Sequence, residues 1–84
     1  MERGEEVRLA ARALLARVQP LVKEGADAPA TGPTLAEANA LLALARTAVP
    51  ESALIAAMRP LEAGSTLAHL TTRLAALERA ITFV

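Results

Sequence analysis

The chain has 84 residues, in which 9 Lys and Arg balance 9 Asp and Glu, with one His and no Cys. That length allows one domain, which buries only about 60 to 65% of its unfolded surface, and the absence of thiols excludes disulfides and Cys/His zinc sites as staples. Zero net charge gives no field to draw in nucleic acid or anionic lipid, and with Phe83 the only aromatic residue the core must come from Leu, Ala, Val and Ile, a strongly helical set.

The amino-terminal "MERGEEVR" is acidic and charge-dense, unlike the basic and apolar regions of a secretory signal. The apolar run Ala40 to Ala45 is far too short to span a bilayer. A soluble, cytoplasmic protein is expected.

From residue 5 to 24, Val7, Ala11, Leu14, Leu15, Val18, Leu21 and Val22 recur at helical spacings and form one stripe. Gly4 is placed to cap this helix, with Glu5 and Glu6 at the positive end of its dipole. Pro20 removes a backbone donor and predicts a bend or an early end near Arg17 to Gln19. "GADAPATGP", residues 25–33, carries two Gly and two Pro without apolar period and reads as a long, flexible loop.

Thr34 and Glu37 have the spacing of a capping box, so a second helix is expected over 34–48. Leu35, Ala38, Leu42, Ala45 and Val49 form one stripe, and Leu41, Leu44 and Ala48 extend it round the side. A helix apolar on most sides is expected to be buried on most sides, as a central element or a subunit contact. Pro50 then suits the first position of a third helix over 50–59, with Leu54, Ala57, Met58 and Leu61 facing inward. Gly64 ends that segment, and Ser65 or Thr66 caps a last helix over 65–82.

The last helix holds the most regular pattern in the chain. Leu67, Leu74 and Ile81 fall at heptad position a, and Leu70, Leu77 and Val84 at d. In a parallel, coiled-coil-like dimer, Arg73 would face Glu78 of the partner. The ladder covers about two and a half heptads, and a bundle core has nearly the same geometry, so it is most simply an intrachain core edge, with an interchain seam as the close alternative.

Little points to chemistry. His69 lies off the ladder without a second His or Cys, and Ser52 and Ser65 sit where helix caps are expected. Arg8, Arg12, Gln19 and Lys23 share one side of the first helix and could be read as a phosphate-tracking stripe, but any solvent-facing helix surface shows the same residues, and the solvated face is the simpler expectation. The turn at Thr47 to Pro50 imitates a helix-turn-helix, but the following helix offers few polar readers. Thr82, Phe83 and Val84 fit the loose pattern of peptides captured by strand addition; packing of Phe83 and Val84 against the first helix is the simpler expectation.

The sequence therefore predicts an all-α, single-domain antiparallel bundle of three to four helices, completed by oligomerisation. The expected function is a non-enzymatic protein-interaction module: a homodimer, or a docking or adaptor subunit paired with another helical protein. Its expected partner-binding residues are Leu41, Leu44, Leu67, Leu70, Arg73, Leu74, Leu77, Glu78 and Ile81. No catalytic, cofactor-binding or metal-ligating residue is assigned, and neither nucleic acid nor membrane is an expected partner. A small nucleic-acid-associated regulator is the alternative function, and a helical enzyme using Arg and Glu side chains is the third.

Overall fold

The structure is a computed structural model that describes residues 2–82; Phe83 and Val84, and the packing expected of them, lie outside the described residues. Within these, the chain forms four helices, α1 (Glu2–Gly25), α2 (Gly32–Ala48), α3 (Ala53–Ala57) and α4 (Leu67–Thr82), and no strand. The all-α class is as the sequence predicts.

α1 has 24 residues, a length of about 36 Å at the standard helical rise, so it spans the molecule's 35 Å long dimension. Gly4 lies inside it and does not cap it. The early end expected at Pro20 does not occur either. Pro20 and Ala16 are both exposed, so the Ala16 carbonyl that loses its helical donor can turn to water.

Side chains along α1 fix the directions of its neighbours. A methyl group at Gly4 would lie 3.6 Å from Val49 Cγ2 and 3.7 Å from Ile81 Cγ2, which brings the start of α1 beside the ends of α2 and α4. Further along, Arg17 donates to Glu37, and Arg8 and Arg12 face Glu78 at 3.9 and 3.5 Å. Both helices thus run antiparallel to α1 and parallel to each other.

The loop at 25–33 is tied down, not free. Pro29 and Thr66 form an isolated antiparallel bridge, Ala30 donates to the Ser65 carbonyl at 2.8 Å, and the amides of Leu67 and Ala68 donate to Ala28 and Ala26 at 2.9 and 3.0 Å. The first amides of a helix have no partner within it, and here the loop carbonyls supply one. Thr66 completes the start of α4 by accepting from the His69 amide at 3.1 Å.

Two helix boundaries differ from expectation. Thr31 caps α2, its hydroxyl accepting from the Thr34 amide at 3.3 Å, so the Thr34 and Glu37 capping box does not form. This start places Pro33 in the first turn, where its missing N–H costs nothing, and frees Glu37 for Arg17. Ser52 caps α3 by accepting from the Ile55 amide at 3.2 Å; Pro50 and Glu51 stay in the preceding turn, and Met58 is already extended at ψ 138. The third helix therefore covers only five residues.

Parallel neighbours require the chain to return from the end of α2 to the start of α4. It does so through α3 and an extended segment, residues 58–61, held by side chains from both helices. Asn39 of α2 donates to the Leu61 carbonyl at 3.0 Å and accepts its amide at 2.7 Å. Arg46 of α2 donates to the Met58 carbonyl, and Arg73 of α4 to that of Arg59. Ile55 of α3 and Leu61 of the extended segment drop into the core.

The core draws on every element: Val7, Ala11, Leu14 and Val18 of α1, Leu35, Ala38, Leu41, Leu42 and Ala45 of α2, and Leu67, Leu70, Leu74, Leu77 and Ala80 of α4. α2 is not buried on most sides. Its outer face, Ala36, Ala40, Ala43 and Thr47, is exposed, and alanine tolerates that because its side chain carries so little apolar area.

Asn39→Ala would strand the amide and carbonyl of Leu61 in a part-buried position. It is expected to cost about 1 to 3 kcal/mol, read as a lower urea midpoint, and Asn39→Asp, which keeps an acceptor for the Leu61 amide, should recover part of that loss.

Candidate docking groove

α4 has two working sides. The first carries the ladder: Leu67, Leu70, Leu74 and Leu77 are all buried in the core of the single chain, with Ile81 half-buried against it. Leu41 of α2 is buried in the same core. Five of the residues expected at a partner seam are thus already covered, because α1 lies along the ladder where a second chain would have lain.

The two charged residues assigned to that seam are also engaged within the chain. Arg73 holds the Arg59 carbonyl, and Glu78 sits between Arg8 and Arg12. On a helical wheel they lie on opposite flanks of α4, and each faces a different neighbour within the chain. Of the expected seam, Leu44 alone is an exposed large apolar residue, at 55% of its surface.

The second side of α4 faces α3 and the extended segment across an open groove of about 650 Å³. Leu54, Ala57 and Met58 form one wall, and Ala76 and Ala80 form the other. Helical geometry places Arg73, Ala76 and Ala80 along one flank of α4, and Arg59, Arg73 and Arg79 rim the groove. Among the described residues no acidic residue lines it, and none of these three arginines lies within ion-pairing distance of a carboxylate.

The carboxylates with cationic partners are elsewhere. Glu5 pairs with Arg8 one turn along α1, and this hydrogen bond and charge hold its carboxyl below the ordinary carboxylate range and raise that of the Arg8 guanidinium. Arg8 and Arg12, read from the sequence as half of a possible phosphate-tracking stripe, instead turn toward Glu78. Among the described residues no group of three His, Cys, Asp or Glu side chains is placed to hold a metal ion, and no helix is long and apolar enough to cross a membrane.

Leu54 is the least covered large apolar side chain described, at 68% exposure. Its expected inward position assumed a helix over 50–59; with α3 starting at Ala53, Ile55 takes the core position and Leu54 turns outward. Only Arg73 belongs both to the groove and to the expected partner site. The Arg73, Ala76 and Ala80 stripe was present in the sequence as a second flank of the last helix, but the stronger Leu ladder masked it. Searches against family profiles, curated proteins and solved structures found no match to the chain.

The two sides of α4 respond differently to a buried or exposed charge. Leu74→Glu is expected to abolish cooperative unfolding, since an unpaired carboxylate in a closed core costs more than a small domain can spare. Leu54→Glu should keep the native circular dichroism and a stability within about 0.5 kcal/mol of wild type. A folded Leu74→Glu protein would mean that the ladder is not the intrachain core.

Proposed function

We propose that the protein is a non-enzymatic helical interaction module that docks a partner in the groove beside α4. The observation that carries this reading is Leu54, largely exposed on the wall of an open apolar groove. The ladder is already satisfied within the chain, which favours the groove over the ladder as the surface for a partner. Met58 adds an adaptable contact, since its unbranched side chain suits irregular binding surfaces.

The groove arginines are the one feature that favours a nucleic-acid-associated regulator instead. The groove walls oppose it, being aliphatic, with no aromatic side chain among the described residues on which a base could stack. α3 opposes it too, as five residues are too few to lie along a major groove and read bases.

The test compares wild type with Leu54→Glu after circular dichroism shows that both fold alike. Wild type is expected to retain a partner, or a second copy of itself in sedimentation at tens of micromolar, at least about tenfold better than the variant. Equal retention by the two proteins, with both sedimenting as monomers, would reject the groove as an interaction surface.

A further inference from the structure

We infer that the groove takes an acidic amphipathic helix from a partner protein, an inference that rests on the interaction-module reading above. Charge selects the occupant. Three arginines stand around an aliphatic floor, and no carboxylate is in the lining among the described residues, so an occupant that is apolar on one face and anionic on its flanks satisfies both parts at once.

Shape favours a helix. Ala76 and Ala80 lie one turn apart on α4, and Leu54 and Met58 face them from the other wall. Small residues on one side let a helical backbone approach closely, while the larger pair packs between its side chains, as in helix-in-groove recognition with anchors at i, i+3, i+4 and i+7. An open trough also suits a helix better than a lipid chain, which gains most from enclosure on all sides.

The arginines set a register. Arg73 and Arg79 are separated by about 9 Å along α4, close to the two-turn spacing of carboxylates at i and i+7 on a helix lying alongside. Arg59 stands on the opposite wall. Guanidinium groups suit this task because they bind carboxylates through paired hydrogen bonds. Arg73 has a second duty in holding the Arg59 carbonyl, so Arg59 and Arg79 are the residues to vary.

The experiment uses two synthetic peptides of about 18 residues, each with Leu at i, i+3, i+4 and i+7, one flanked by Glu and the other by Lys. The Glu peptide is expected to shift the amide resonances of Leu54, Ala57, Met58, Ala76 and Ala80, and to lose about tenfold or more in affinity for Arg59→Gln/Arg79→Gln. Arg59→Glu/Arg79→Glu should reverse the preference toward the Lys peptide. Equal binding of both peptides, or shifts confined to other faces, overturns the acidic-helix assignment and leaves the interaction reading standing. If neither peptide binds, no self-association is seen, and a single-stranded oligonucleotide or phosphatidylserine vesicles shift the groove resonances instead, the interaction reading falls with it.

Discussion

α2 and α4 run in the same direction against α1, so the chain must travel back between them before α4 can start. Residues 49–66 make that return, and little of it is regular structure. An irregular segment beside a core has backbone groups that need partners. Asn39, Arg46 and Arg73 provide them from the flanking helices, with Asn39 meeting both the amide and the carbonyl of Leu61. The rest of the molecule depends on this, because the segment brings Ile55 and Leu61 into the core and sets the far wall of the groove.

The same arrangement accounts for the distribution of charge. On the α1 side of the bundle, Glu5, Glu37 and Glu78 meet Arg8, Arg12 and Arg17. These pairs are partly exposed and worth little individually, but together they neutralise that side. On the α3 side, Arg73 bonds a carbonyl, and Arg59 and Arg79 have no described carboxylate partner. A chain of zero net charge can thus present a locally cationic groove, which a composition-level argument does not reveal.

The groove and the strength of the core are linked through α4. Its ladder supplies three of the four largest fully buried side chains, Leu70, Leu74 and Leu77, each worth about 1.5 to 3 kcal/mol relative to exposure. Its opposite flank gives Ala76, Ala80, Arg73 and Arg79 to the groove. One helix therefore anchors the fold and presents the candidate surface. Ala80 serves both, buried in the core and lining the groove, and Arg73 is at once a rim charge and the clasp on the return segment.

The sequence by itself determined the all-α class, the core positions Val7, Ala11, Leu14 and Val18 of the first helix though not Leu21, which is 49% exposed, the position of the first loop and the regular face of the last helix. These follow from spacing, since residues three and four apart share a helical face whatever they pack against. It could not determine what each face meets. The Leu67 to Ile81 ladder looks alike whether it meets α1 or another chain, and α1 covers it. Nor could local pattern show that Pro20 would be carried on an exposed side, that Thr31 would cap α2 ahead of Thr34, or that α3 would begin late enough to turn Leu54 outward. The bonds that decided the return path join residues 12 to 22 positions apart. Such pairings leave no periodic trace in a sequence, because they exist only once the helices have packed.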